Sequence, residues 1–162
     1  MPHRRPATLV AAAAALLLCT TATASVAAST GATADFVDLV LAEGGSRCEA
    51  DRVQVGAAPP ATVAIDADKV DFDCRGDTSF KFGGDAAFAF DDAKGTATAE
   101  DVRIAARKFG VTCTYEASRV TLERDGATRE YRGGPIGAKK VGGSFLCPGS
   151  VNLDSAEVVF HQ

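Results

Sequence analysis

The feature that most constrains the fold of this chain is a duplicated pattern of glycine, cysteine and a charged pentad. The first copy reads GSRCEADRVQV over Gly45–Val55, and the second reads GVTCTYEASRVTL over Gly110–Leu122. In both copies a glycine stands three residues before a cysteine, and a pentad, EADRV or EASRV, follows. Two copies are too few for a solenoid. The repeat therefore predicts one domain built from two similar halves.

The similarity between the two copies continues beyond the pentads. A Phe-x-Cys-x-Gly sequence occurs at Phe72–Gly76 and again at Phe145–Gly149. The repeat units therefore extend over residues 34–90 and 99–160, and a polar linker with Gly95 at its centre joins them. Each unit contains two cysteines.

These four cysteines predict two disulfides, because an even number of cysteines in an exported chain indicates a covalent framework. Four cysteines allow three pairings, and spacing alone does not choose between them. The duplication favours pairing within each unit, Cys48 with Cys74 and Cys113 with Cys147. Each bridge would close a loop of about 25–35 residues and stabilise the domain by roughly 3–4 kcal/mol. Zinc is excluded by the spacing, since the chain has no CxxC motif and no histidine near these cysteines.

The beginning of the chain has the pattern of a secretory signal peptide, residues 1–28. The basic segment Met1–Arg5 precedes an apolar run over Ala7–Leu18, and small residues suited to cleavage follow. The apolar run is short for a bilayer-spanning helix. A leucine precedes Cys19, whereas lipoprotein sites have a small residue there, so we expect no lipid anchor. The sequence thus predicts a secreted protein whose mature domain is residues 29–162, without a transmembrane segment.

The mature sequence is dominated by short alternating stretches that are typical of β-strands. Apolar residues alternate over Val70–Cys74, Phe80–Phe82 and Val111–Tyr115, and turn signals such as Asp125-Gly126 separate the stretches. A hairpin turn is predicted at Ala67–Lys69, where the buried parity changes. We expect an all-β fold of about nine or ten short antiparallel strands, arranged as a β-sandwich or a barrel.

Composition argues against several classes of enzyme. The mature chain has one histidine, His161 beside the C-terminus, and no tryptophan. Serine and cysteine nucleophiles need an imidazole that packing holds in place, so we predict that the protein is not an enzyme. The remaining catalytic alternative is a pair of carboxylates, such as Glu116 with Asp125 or an acid among residues 66–77. The mature chain, residues 29–162, has a net charge of −6 from 15 basic and 21 acidic residues, which argues against nucleic acid as a partner.

An acidic stretch of the first unit is the candidate metal site. Asp66, Asp68 and Asp77 lie in or beside predicted turns, and calcium prefers several carboxylate and carbonyl oxygens from a turn. Their spacing does not follow the EF-hand pattern, and the aspartates between them are explained more simply as the outward residues of an amphipathic strand. No cofactor is implied. The RGD tripeptide at Arg75–Asp77 is interpreted as a turn.

A glycine-rich segment, Gly133–Gly143, is predicted to be a long exposed loop. On a disulfide-braced scaffold such a loop suits protein binding, with Pro135, Ile136, Lys139 and Lys140 as the contact residues. The alternative interpretation is a mobile hairpin loop, because five of its eleven residues are glycine.

Basic residues are concentrated in the second unit. Residues 103–140 contain nine bases and four acids. Strand alternation places several of these bases outward, where they suit contact with an anionic wall polymer or lipid headgroups; the alternative is an ordinary solvated face. The set is Arg103, Arg107, Lys108, Arg119, Arg124, Arg129, Arg132, Lys139 and Lys140.

The order of these features resembles a loosely defined group of small secreted all-β proteins from high-GC Gram-positive (actinobacterial) bacteria. The residues with this resemblance are GVTCTY at Gly110–Tyr115 and FLCPGSVNLDSAEVVF at Phe145–Phe160. The resemblance implies an extracytoplasmic compartment and a β fold, and it provides no catalytic residues.

We therefore predict a secreted binding or structural module of the cell envelope or the medium. Its expected partner is a cell-wall polymer or an extracellular protein. The alternative function is a secreted inhibitor of the protease-inhibitor type that acts through residues 133–143.

Overall fold

The computed structural model describes residues 36–161 of the chain. The predicted signal peptide, residues 1–28, and Cys19 within it lie outside the described residues. The described part is all-β, as predicted, with twelve strands rather than nine or ten and one short 3-10 helix, Ala67–Lys69. None of its helical structure has the length and apolarity of a membrane span.

The strands vary in length from three to fourteen residues. In chain order they are β1 Phe36–Glu43, β2 Ser46–Gln54, β3 Val63–Ile65, β4 Asp73–Arg75, β5 Thr78–Phe82, β6 Ala86–Asp91, β7 Thr96–Lys108, β8 Val111–Arg124, β9 Glu130–Gly133, β10 Ile136–Gly143, β11 Ser150–Leu153 and β12 Ser155–His161.

All twelve strands belong to one antiparallel sheet that branches at the β7–β8 hairpin. The main path has the strand order β3-β6-β7-β8-β9-β12-β1-β2-β4. The remaining strands use the other end of the same hairpin, where β5 pairs with β7, β10 pairs with β8, and β11 pairs with β10. Apolar side chains from both parts of the sheet form one core, so the fold is sandwich-like.

The repeated pentad is the place where two long strands change the face that they bury. In both copies the alanine and the valine are buried, and the two residues between them are both exposed. Two successive outward residues reverse the alternation of a strand, as a β-bulge does. In β2 the bulge includes Arg52, which has a φ of 54°. In β7, opposite the second pentad, Asp101 has a φ of 52°.

The two halves contain corresponding hairpins and corresponding disulfides. In the β1–β2 hairpin Leu41 lies opposite Cys48, and in the β7–β8 hairpin Ala106 lies opposite Cys113 at the same distance from the turn. Cys48 bonds to Cys74 on β4, and Cys113 bonds to Cys147 in the β10–β11 loop. The predicted pairing within units is therefore confirmed.

The prediction that Gly133–Gly143 is a long loop is wrong. Most of this segment is strand β10, which pairs with both β8 and β11. Three of its five glycines, Gly133, Gly134 and Gly143, occur where backbones approach closely: a Cβ on Gly143 would lie 2.5 Å from the carbonyl oxygen of Thr112, and one on Gly134 would overlap the carbonyl of Asp154. Glycine inside a strand indicates such close approach, whereas the composition suggested flexibility.

The predicted turn at Ala67–Lys69 exists, but it does not form a hairpin. Asp66 caps the short helix there by accepting a hydrogen bond from the N–H of Asp68 at 3.0 Å. The strands on either side pair elsewhere, β3 with β6 and β4 with β2. The change in which alternate residues are apolar correctly indicated a turn. It does not indicate which strand each neighbouring segment pairs with.

Candidate apolar binding site

Four strand connections meet at one end of the sandwich, which we call the loop end. They are the β1–β2, β4–β5 and β7–β8 turns and the β10–β11 loop. Glu43, Thr78, Phe109 and Leu146, one from or beside each connection, line a common pocket. The pocket borders the core at this end, since its lining also includes the buried residues Phe80, Tyr115 and Leu153.

The pocket has a volume of about 270 Å³ and mainly apolar walls. Four lining residues have ionisable or hydroxyl side chains: Glu43, Thr78, Lys108 and Tyr115. The remaining lining residues are Phe80, Ala106, Phe109, Val111, Cys113, Leu146, Pro148, Val151 and Leu153. Ligand sites commonly combine such apolar walls with a few polar groups that orient the ligand.

The tyrosine in the lining contributes a neutral surface. Tyr115 is 2% exposed, and burial, with a smaller contribution from the carboxylate of Glu43, raises the pKa of its phenol above the usual value. The hydroxyl therefore keeps its proton at neutral pH. On the polar side of the pocket, Thr78 Oγ1 donates to Glu43 Oε2 at 3.3 Å, so this carboxylate is held by the turn beside it.

The β4–β5 turn is held in place by the buried hydroxyl of Ser46. Ser46 Oγ accepts hydrogen bonds from the backbone N–H groups of Asp77 and Thr78, both at 3.1 Å. The turn passes so close to Ser46 that a Cβ on Gly76 would lie 2.5 Å from this oxygen. The RGD tripeptide is thus part of a tight turn, as predicted from the sequence.

The rim of the pocket exposes large apolar side chains. Phe109 is 82% exposed, Leu146 is 66% exposed, and Phe145 beside it is 90% exposed. Within residues 36–161 the only other exposed large hydrophobic residue is Val141. A concentration of such side chains around one pocket indicates an interaction site.

The β10–β11 loop presents its two exposed residues on a braced backbone. The carbonyl of Ser144 accepts from the N–H of Cys147 at 3.1 Å and from Nζ of Lys140 at 3.2 Å. The Ser144 hydroxyl accepts from the N–H of Leu146 at 3.2 Å. Together with the Cys113–Cys147 bridge, these contacts fix Leu146 in the lining of the pocket and Phe145 beside it.

The tip of the β7–β8 hairpin holds a phenylalanine in a backbone conformation that favours glycine. Phe109 and Gly110 have φ values of 50° and 80°. The corresponding residues of the β1–β2 hairpin are Gly44 and Gly45, with φ values of 55° and 83°. The two turns thus have the same type I′ geometry. A side chain in this left-handed region costs roughly 1–2 kcal/mol, so Phe109 destabilises a turn that its glycine counterpart leaves unstrained.

Two basic side chains near the loop end form no ion pair within residues 36–161. Arg107 and Lys108 precede the β7–β8 turn and are exposed, and neither forms an ion pair within the described residues. By contrast, arginines elsewhere in this half are paired, for example Arg103 with Glu116 at 2.6 Å and Arg119 with Glu100 at 2.8 Å. The predicted basic set therefore divides into paired side chains on the sheet surface and unpaired ones towards the loop end.

The predicted binding residues of the glycine-rich segment do not form one exposed site. Ile136 is buried in the core, whereas Pro135 and Lys139 are exposed. Lys140 is partly buried and donates to the β10–β11 loop. This outcome follows from the strand: its alternation sends neighbouring side chains to opposite faces.

The predicted metal ligands are not brought together. Asp66 caps the 3-10 helix and lies 3.8 Å from Lys69, while Asp77 lies in the β4–β5 turn. No group of three or more His, Cys, Asp or Glu side chains in residues 36–161 is placed to hold a metal ion.

The carboxylate pair of the catalytic alternative is separated as well. Glu116 lies on β8 and forms an ion pair with Arg103 at 2.6 Å. Asp125 lies beyond the end of β8, where its carbonyl accepts from the hydroxyl of Thr128 at 2.6 Å. The two carboxylates therefore do not face each other across a cleft.

The loop-end residues were not found by sequence reasoning, although one signal was present. Alignment of the two copies places Phe109 against Gly44, a bulky residue where the turn favours glycine. The remaining wall residues come from distant strands and leave no local pattern. No protein-family model, curated protein or solved structure matches the chain, so the geometry of the site is the basis for a functional assignment.

Proposed function

We propose that the protein is an exported binding module, without a catalytic step, that holds an apolar or amphipathic ligand in the loop-end pocket. The observation that supports this most strongly is the pocket of about 270 Å³ with apolar walls and exposed Phe109 and Leu146 at its mouth. Two disulfides favour an oxidising compartment, in agreement with the signal-peptide pattern of the first 28 residues.

The chemistry of the lining favours an amphipathic ligand over a bare polysaccharide. Burying apolar surface contributes roughly 25 cal/mol per Å², and a sugar polymer has little apolar surface to offer these walls. The amine of Lys108 at the rim suits an anionic head group, and the hydroxyl of Thr78 suits a polar one. Envelope lipids and lipid-linked wall precursors both have this composition.

The alternative function, a protease-type inhibitor acting through residues 133–143, has no such support. An inhibitor presents an exposed, pre-organised loop to its target. Residues 136–143 are strand β10 instead, which pairs with β11 over residues 136–139 and with β8 over residues 139–143.

Filling the pocket tests the proposal, and β7 supplies a matched control. Ala106 lines the pocket, whereas its neighbour Ala105 points to the opposite face of the strand. We expect N-phenyl-1-naphthylamine, a neutral apolar dye, to bind the mature protein at one saturable site, as measured by its fluorescence. Ala106→Phe should weaken this binding at least tenfold, because the added ring occupies the space of the ligand, and Ala105→Phe should leave it unchanged.

Two results of this titration would contradict the proposed site. One is non-saturable dye fluorescence with the unmodified protein. The other is an Ala106→Phe variant that is folded, as judged by circular dichroism, and binds the dye as tightly as the Ala105→Phe variant does.

A further inference from the structure

The apolar rim of the pocket extends outward beyond what a small ligand would cover. Phe109 stands at the tip of the β7–β8 hairpin, and Phe145 is more exposed than Leu146 beside the pocket. These three side chains, which we call the apolar tip, belong to two adjacent connections that line one pocket. A ligand inside the pocket contacts Leu146 and Phe109 and leaves Phe145 in water.

The conformation of Phe109 indicates that this exposure has a role. Its φ of 50° lies in the region that favours glycine, and the duplicated turn has glycine at the same place. Burial does not compensate, because the side chain is 82% exposed. Residues held in sparsely populated conformations occur preferentially at functional sites, and here the strained residue is also the most prominent apolar one of the hairpin.

The charges beside the apolar tip complement an anionic surface. Lys108 is adjacent to Phe109, with its Nζ 5.8 Å from the centre of the ring. Arg107 precedes Lys108 in β7. It is exposed and forms no ion pair in the described part of the chain. The domain as a whole has a net negative charge, so its overall charge does not attract it to an anionic surface. Any such attraction comes from these local basic residues. Basic residues next to exposed aromatic and aliphatic ones are typical of proteins that bind at lipid interfaces.

We propose that the loop end docks on the surface of an anionic phospholipid bilayer. Phe109, Phe145 and Leu146 enter the boundary between head groups and acyl chains, and Lys108 and Arg107 contact the phosphates. The inference rests on the proposed function, because a pocket that opens towards the bilayer receives an amphipathic ligand from it. A soluble anionic wall polymer would contact only the basic residues, Lys108 and Arg107, and would leave the apolar tip in water.

Co-sedimentation of the mature protein with lipid vesicles tests this docking. We expect binding to vesicles of phosphatidylcholine with 30% phosphatidylglycerol, roughly, and much weaker binding to phosphatidylcholine alone, since each basic residue near an anionic surface contributes about fivefold in affinity. Phe109→Gly should lower the partition coefficient roughly tenfold through loss of the buried ring. The same substitution should raise the melting temperature by about 2–8 °C, because it removes the strained side chain.

Charge variants at the two ends of β7 provide the matched control. Lys108→Gln, beside the apolar tip, should lower partitioning about fivefold. Lys94→Gln removes the same charge in the turn at the other end of β7, where Lys94 is exposed and pairs with Asp91 at 2.8 Å, and it should have no effect. Equal losses in the two variants would overturn the proposal, since they would show attraction to net charge only.

Other outcomes also overturn the docking and leave the pocket proposal separate. They are absence of binding to the anionic vesicles, Phe109→Gly partitioning equal to the unmodified protein, and binding to a soluble polyanion that matches the vesicle binding. Dye binding without vesicles measures the pocket independently. Saturable dye binding by a protein that does not bind vesicles therefore refutes the docking alone. A protein that binds neither the dye nor the vesicles refutes both proposals.

Discussion

Replacing Cys113 and Cys147 together by alanine is expected to lower the free energy of unfolding by about 2–5 kcal/mol and to abolish saturable dye binding. The bridge closes a loop with a sequence separation of 34 residues. Its loss therefore enlarges the conformational freedom of the unfolded chain. Cys113 is also part of the pocket wall, and Cys147 fixes the loop that presents Leu146. Urea unfolding measures the stability, and the dye titration measures the site.

The second disulfide is a control of the same chemical kind. Cys48 and Cys74 join β2 to β4, with a sequence separation of 26 residues, and neither lines the pocket. The Cys48→Ala/Cys74→Ala variant should lose a comparable amount of stability and keep saturable binding at temperatures where it is folded. A folded Cys113→Ala/Cys147→Ala variant with unchanged dye affinity would show that the binding site lies elsewhere.

Gly143→Ala is expected to destabilise the protein by about 2–4 kcal/mol. Gly143 has a φ of 97°, and an added Cβ would lie 2.5 Å from the carbonyl oxygen of Thr112 and 2.8 Å from the Cα of Cys113. Both neighbours are backbone atoms of β8, so relief of the contact requires movement of a central strand. The shift of the urea midpoint measures the effect.

The adjacent glycine provides the comparison for this substitution. A Cβ on Gly142 would meet only the side chain of Thr114, at 3.5 Å, which is an ordinary contact. Gly142→Ala should therefore change the stability by less than about 1 kcal/mol. Equal stability of the two variants would mean that β10 does not pair with β8 in the register that places Gly143 opposite Cys113.

The disulfides and the two similar halves could be predicted from the sequence, because the duplicated motifs that indicate them are short continuous segments. The duplication reduced three possible disulfide pairings to the one that the structure contains, Cys48–Cys74 and Cys113–Cys147. Alternation identified the β class. The length of β7 and β8 was missed because the pentad places two exposed residues in succession, and a reversal of alternation in the middle of a strand resembles the end of that strand.

The glycine-rich segment was misinterpreted for a different reason. Composition shows that glycine is present and does not show whether it provides flexibility or room for a neighbouring backbone. At Gly143 the neighbour is β8, whose approach depends on long-range pairing. The pocket is equally non-local, since its lining joins residues as distant as Glu43 and Leu153. Only Phe109 had a signal in the sequence, the contrast with Gly44.

The most direct test of the account is a map of ligand contacts on the protein in solution. We would titrate the isotope-labelled mature domain with N-phenyl-1-naphthylamine and follow the backbone amide resonances. We expect saturable shifts in Thr78, Phe109 and Leu146, which line the pocket, and in Gly110 beside Phe109. Saturable shifts confined to the opposite end, around Gly95 and Gly126, or no saturable shifts at all, would contradict a binding site at the loop end.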